Sequence, residues 1–490
     1  MKLEGSRRRR TRSVPILVLM AGLGCGSVPA RQGGGGAPGQ WPRQADGEAS
    51  GRWLQYAMTE DAGFSSAELD EVRAYADSVR SGAVMAVYRG RVLVAWGDVA
   101  REFEAHSVRK SMVSALYGIA VAEGRVDLDA TLAELGIDDI DPLTEDEKRA
   151  RVRDLLAARS GVYHPAAYAD ADQHAARPER GAHAPGERFF YNNWDFNAAG
   201  VIYERATGED LYRVFGRRVA DRLGMEDYEP DDGYRAYEPT RSRHPAHTFR
   251  ISTRDLARFG QLYLQGGRWD GREVVPEEWI RESTRPVTDL GGGTGYGYMW
   301  WTYSAGALSA ERYPALARHD LHLARGSGGQ AVFVIPGADL VVVHRGDTDH
   351  GVAVAGPAVW TLVERILAAR ESEPSAEPSL VALRPTPLAS QSPAPEPERF
   401  LELSPEALEP YIGEYESAPG AVARVFMFDG SPYIHVPGEG DAELFALARD
   451  EFTVRVVPGV RIEFERDGSG EVTHVVVTIG GQTLRGRKRS

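Results

Sequence analysis

Ser107-Val108-Arg109-Lys110-Ser111-Met112-Val113-Ser114-Ala115-Leu116-Tyr117 opens a run that continues through Ile119 and Ala120 to Glu123, with Gly124 as its stop. The spacing predicts a helix that is apolar on most sides, which means a helix buried inside a larger domain. Residues three apart on a helix share a face, so Ser107 and Lys110 point the same way. Only 4 of the 57 lysines and arginines in the chain are lysine, and the other three are Lys2, Lys148 and Lys488. A partly buried lysine can give up its proton near neutral pH, whereas arginine cannot. The positive end of the helix dipole favours an alkoxide at Ser107 and disfavours a charged Lys110. That pair makes a serine nucleophile with an amine as its base.

Two further stretches carry possible chemistry. Pro185-Gly186-Glu187-Arg188-Phe189-Phe190-Tyr191-Asn192-Asn193 reads as a turn followed by a loop leading into a helix. Tyr191 beside a lysine is expected to lose its proton more readily and to serve in acid–base steps, with Asn193 holding Lys110 in place. Taken alone, the stretch is an ordinary aromatic loop. Gly326-Ser327-Gly328-Gly329-Gln330 precedes the apolar run Ala331 to Ile335. Its glycines allow a ligand close to the backbone, and an edge strand beside the serine could offer an N–H to a developing oxyanion. Taken alone, it is a hairpin turn.

Around these motifs the chain is long enough for more than one core: 490 residues, 42% hydrophobic and 26% charged. The formal charge of −14 argues against nucleic-acid partners and against binding anionic lipid through charge alone. Residues 1–25 read as an export signal, with Arg7 to Arg10 and Arg12 before the apolar stretch Val14 to Leu23. Cys25, the only cysteine, resembles a bacterial lipoprotein processing site, although Gly22 stands where such sites usually carry leucine. The other reading is a cleaved secretory signal. Both place the protein outside the cytoplasm, in the bacterial periplasm or envelope, with membrane attachment only through a lipid on Cys25. One cysteine allows no intrachain disulfide and no cysteine-based metal site.

Residues 26–50 are rich in Gly, Pro and Gln and read as a tether; 371–398 are rich in Pro, Ser and Glu and read as an interdomain linker. Residues 51–370 between them mix helices and strands. Ser65 and Glu68 predict a capped helix, and Ala83 to Tyr88 with Arg91 to Trp96 predict a hairpin about Arg89-Gly90. Further helices are expected at 154–158, 197–206, 255–264 and 357–370, and strands at 331–335 and 340–344. Strands at both ends with helices between them suggest one antiparallel sheet completed by both termini, plus a helical lobe. Residues 399–490 read as short strands with turns at Asp429-Gly430 and Gly480-Gly481 and carry no catalytic constellation.

The order Ser107-x-x-Lys110, Tyr191-x-Asn193 and a Gly-rich third box resembles the serine β-lactamase and penicillin-binding-protein superfamily. Within it, the chain is most similar to class C β-lactamase-related hydrolases and esterases of the 6-aminohexanoate-dimer hydrolase type. Supporting stretches are Arg153 to Leu156 with Ser160 to Val162, Ser252 to Gly260, and Tyr296 to Trp301. The resemblance implies a β-lactamase/transpeptidase-like α+β fold over 51–370, followed by a small β-barrel-like domain whose opening is matched by Leu408 to Tyr415. It implies Ser107 as acylated nucleophile, Lys110 as its base and Tyr191 as the acid/base toward the leaving group. The backbone N–H groups of Ser107 and Ser327 would form the oxyanion hole, with Asn193, Arg325, Gly326 and Gly328 around the substrate. The substrate would be a small ester or amide, without metal or cofactor.

One departure bears on the substrate. The third box usually carries Lys-Thr-Gly or His-x-Gly, and here it is Ala324-Arg325-Gly326. Strand alternation could send Arg325 to the wrong face, which favours substrates needing no carboxylate anchor. A Ser-His-Asp hydrolase would need a Gly-x-Ser-x-Gly elbow, which is absent, and His106 is expected to be a surface or packing residue. His244 and His247 do not have metal-ligand spacing. The rival from another class is a non-hydrolytic envelope protein of the same fold that binds peptidoglycan or β-lactams as a sensor.

Overall fold

A computed structural model describes residues 52–390, 392, 399–418, 421–479 and 481–489. The export pattern of residues 1–25, Cys25 and the 26–50 tether lie outside the described residues. No helix among the described residues is long and apolar enough to cross a membrane.

The frame is a ten-stranded sheet. Helix α1 (Ser66–Ser78) is capped by Ser65, whose hydroxyl accepts the Glu68 N–H. Strand β1 (Leu54–Tyr56) precedes it, and the hairpin of β2 (Ser81–Tyr88) and β3 (Arg91–Gly97) follows. Arg89 and Gly90 have φ of 49° and 73°, the paired left-handed residues of a tight hairpin turn. Strand β2 pairs antiparallel with Leu340–Gly346 near the other end of the domain, with Ala86 opposite Val342. The sheet then runs outward through Gln330–Ile335, Leu321–Gly326, Trp301–Tyr303, Thr294–Tyr296 and Thr288–Gly291. The two ends of this domain thus meet at the middle of the sheet, as the strand pattern suggests. The sheet is not wholly antiparallel, because β1 pairs parallel with β3.

Side-chain alternation splits the core into two layers. Ala83, Met85 and Val87 face one cluster, and Val84, Ala86 and Tyr88 face the other. The first layer holds helix α2 (Val108–Ala122), buried from Val108 through Ala120, together with the helix Thr253–Leu264. The second holds α1 and the helix Gly356–Ala368, through Leu69, Val72, Leu362 and Ile366. A sheet covered on both faces explains why its central strands are continuously apolar rather than alternating.

The proline-rich stretch after 370 adds to the sheet. Leu380–Ala382 pairs with β1, and the Ser390 N–H donates to Asp77. Beyond it, nine strands form a second, antiparallel sheet with its own core of Tyr411, Tyr415, Phe452, Ile462 and Phe464. Its two outer strands, Gly440–Glu443 and Phe445–Ala448, are separated only by Leu444. The sheet therefore curls until its edges meet, giving a nearly closed barrel.

Candidate active site

The amino-terminal end of α2 meets the end of the Leu321–Gly326 strand, and the candidate site lies at that junction. Ser107 is the N-cap of α2 with helical dihedrals. The preceding His106 has φ of 47°, a left-handed conformation rare for a non-glycine residue. Two hydroxyls hold its ring: Thr348 Oγ1 at 3.0 Å from Nε2 and Tyr168 OH at 3.1 Å from Nδ1. Burial pushes His106 down to about 4, so it is neutral and positions the turn, in keeping with its reading as a packing residue.

One turn into α2, Lys110 Nζ lies within hydrogen-bond distance of Ser107 Oγ (2.8 Å), Tyr191 OH (2.7 Å) and Asn193 Oδ1 (2.9 Å). The side chain is 2% exposed. Its nitrogen also lies 4.3 Å from the Tyr191 ring centre and 4.6 Å from that of Phe196. Burial, and after it the Arg109 charge, hold Lys110 well below the ordinary lysine range, while Asp170 works the other way. A neutral amine with a lone pair beside a hydroxyl can accept its proton.

The helix Asn193–Thr207 brings the second motif. Asn192 caps it by accepting the Trp194 N–H, which leaves Asn193 as its first residue, facing Lys110. Tyr191 immediately precedes the cap and stacks on Trp301, with ring centres 5.7 Å apart and planes at 25°. Here the structure corrects an expectation. Tyr191 was expected to lose its proton more easily, but burial raises its pKa, and the Ser107 hydrogen bond and the Arg109 and Arg325 charges only partly offset this. Burial likewise pushes the Lys110 amine beside it down, which weakens any positive charge it could lend. Tyr191 is thus a neutral phenol, able to give a proton.

The third box was expected on an edge strand, and it belongs to an interior one. Leu321–Gly326 has neighbours on both sides, but Trp301–Tyr303 pairs only as far as Leu323. Ala324 to Gly326 therefore outrun that neighbour and present a local free edge to the site. Gly326 packs directly against the nucleophile's turn: a Cβ there would lie 2.8 Å from the Ala105 carbonyl oxygen and 3.0 Å from the Ser107 nitrogen. Ser327 follows at the turn. Gly328, at φ +72°, accepts the Val354 N–H through its carbonyl.

A cavity of about 620 Å³ opens over these groups, lined by Ser107, Tyr191, Trp301, Arg325, Ser327 and Gly328. Strand alternation allowed Arg325 to point to the wrong face. Alternation does operate, but it buries Ala324 (1% exposed) in the core and turns Arg325 outward to the cavity. Arg325 forms no ion pair among the described residues, so the site keeps a cation in the third box, one position later than usual.

Several residues at the site were missed. Asp170 and Gln173 line the cavity at the helix Ala171–Ala176; Asp170 caps that helix by accepting the Gln173 N–H at 2.8 Å. The Asp170-x-x-Gln173 spacing is a cap signature that could have been found. Arg109 and Tyr168 had no such signal, because only folding brings them together, with the guanidinium carbon 5.3 Å from the ring centre.

Comparison with known proteins bears on the family and the fold. The beta-lactamase family model matches residues 69–353, more than half of the chain. The chain belongs to the beta-lactamase family. It has the hydrolase fold of that family, with a barrel-like domain appended. Among solved structures, it is similar to SurE with bound D-Leu at 18% identity and TM-score 0.46, covering 87% of this chain and 100% of that one. A penicillin-binding protein homologue from Pyrococcus abyssi, described as octameric, matches at 17% identity and TM-score 0.44, covering 86% and 99%. A beta-lactamase from Mycobacterium bovis matches at 23% identity and TM-score 0.42, covering 60% and 96%. No curated protein matches the sequence.

Proposed function

We propose that this beta-lactamase-family protein is a serine hydrolase that cleaves an ester or amide through an acyl-enzyme on Ser107. The observation that carries the reading is the position of Lys110 Nζ, within 2.9 Å of Ser107 Oγ, Tyr191 OH and Asn193 Oδ1 in a buried setting. Neutral Lys110 takes the Ser107 proton as Oγ bonds to the substrate carbonyl carbon. The Ser107 and Ser327 N–H groups receive the resulting oxyanion. Tyr191 gives its proton to the leaving alcohol or amine and recovers one from Lys110, so both groups end as they began. Water then attacks the acyl carbon with the same groups acting in reverse, which frees the acid and restores Ser107.

Arg325 in the cavity supports a substrate with an anionic group near the scissile bond, such as a carboxylate, and weakens the argument against such substrates. The export pattern at residues 1–25 supports action in the bacterial envelope, attached by a lipid if Cys25 is acylated.

The test uses purified full-length protein with a fluorophosphonate probe, a fluorescent penicillin, and a panel of p-nitrophenyl esters and D-amino amides. Modification of Ser107, with an ester or penicillin adduct that clears in water, is the expected result. A stable adduct without turnover would favour the envelope sensor, and no adduct at all would remove both readings.

A further inference from the structure

The C-terminal barrel reaches the candidate site through a short series of hydrogen bonds. The Gly440–Asp441 start of an outer strand of the barrel packs on residues 238–241 of the hydrolase domain. Asp441 accepts the Thr240 N–H at 2.7 Å. Gly440, at φ +106°, approaches so closely that a Cβ there would lie 2.3 Å from Glu238 Oε2 and 2.9 Å from Arg241 Cζ. Arg241 Nη1 pairs with that same oxygen at 2.5 Å. The other carboxylate oxygen of Glu238 accepts the Tyr168 N–H at 2.7 Å.

Tyr168 stands between this contact and the catalytic groups. It is a non-glycine residue at φ +61°, a conformation that persists only where its surroundings impose it. Its carbonyl accepts a hydrogen bond from Asn193 Nδ2, and Asn193 Oδ1 faces Lys110. Its hydroxyl meets the ring of His106, the residue before Ser107. One strained residue therefore braces both the lysine's asparagine and the nucleophile's turn.

We propose that Glu238 and Tyr168 are positioning residues through which the docked barrel holds Asn193, Lys110 and Ser107 in register. The Gly440–Asp441 end of the barrel's outer strand seats the Glu238 carboxylate, and that carboxylate holds the Tyr168 peptide. This inference rests on the serine hydrolase reading. It gives the barrel a part in catalysis although it supplies no reacting group.

The experiment measures p-nitrophenyl acetate hydrolysis by full-length Glu238→Ala and Glu238→Gln variants, with kcat expressed per fluorophosphonate-titrated site. Glu238→Ala is expected to lower kcat per titrated site about 10-fold or more, on the scale of a misplaced reacting group, and to leave KM within about twofold. Glu238→Gln keeps an acceptor for the Tyr168 N–H and is expected to restore most of that loss. A purely structural role would reduce the thermal midpoint and the titrated fraction while leaving kcat per titrated site unchanged. That result would overturn the proposal, as would equal losses in both variants. If Glu238→Ala does not fold, Gly440→Ala presses on Glu238 from the barrel side. A wild-type kcat in that variant would count against the coupling. A wild-type protein that never labels would instead defeat the hydrolase reading, and this inference with it.

Discussion

Gly326 lies against the Ser107 amide so closely that a methyl group at 326 would stand 3.0 Å from that nitrogen. The backbone dihedrals at 326, φ −130° and ψ 161°, are open to any residue, so conformation alone does not call for glycine. Space does: the methyl group would press on the Ser107 nitrogen and the Ala105 carbonyl oxygen, beside the N–H proposed to receive an oxyanion. Gly326→Ala is expected to lower kcat for ester hydrolysis by about 10²- to 10³-fold, the scale for losing an oxyanion donor. Stopped-flow acylation with a p-nitrophenyl ester measures this, and an unchanged rate would remove the proposed oxyanion site.

Lys110→Arg keeps the charge and much of the bulk but cannot accept a proton at neutral pH. The variant is expected to lose at least ~100-fold in kcat/KM, as for a lost general base. Near-normal turnover would defeat the role proposed for the amine.

The charges around Lys110 predict pH shifts of opposite sign. The base must be neutral to act, so the rate rises with pH through the Lys110 pKa. Burial is the main cause of its depression, and Arg109 adds to it while Asp170 opposes it. Removing the Arg109 charge lets the pKa rise, so Arg109→Gln moves the acid limb of kcat/KM to higher pH. Asp170→Asn moves it to lower pH. Profiles on one neutral ester for the two variants check both signs, and shifts in the same direction would contradict the assignment of that limb to Lys110.

Arg325 faces the cavity and has no ion pair among the described residues. Charge-assisted hydrogen bonds contribute about 1.5–3 kcal/mol, or roughly 10- to 100-fold in affinity. Arg325→Ala is therefore expected to raise KM by that factor for esters carrying a carboxylate and to leave neutral esters within about twofold. Equal effects on both ester classes would show that Arg325 does not select for charge.

Much of the site is legible before folding because it is built from local relations. Ser107 and Lys110 are one helical turn apart, so their shared face follows from helix geometry alone. The Ser65 cap and the Arg89-Gly90 turn are equally local, and both stand where expected. Tyr191 and Asn193 could be named from their motif, but the protonation state of Tyr191 could not. That state depends on how completely the surrounding aromatic residues exclude water.

Periodicity, capping and the rarity of lysine were enough to place the main elements and to single out the Ser107–Lys110 pair. Which face Arg325 presents was set by packing, because strand parity has no meaning until the core claims Ala324. Packing also decided that Tyr168, Glu238 and the barrel stand behind the site. Those contacts join residues 25 to more than 200 positions apart, as from Tyr168 to Asn193 and from Thr240 to Asp441. No local pattern encodes such distances, since they are set by how whole layers pack.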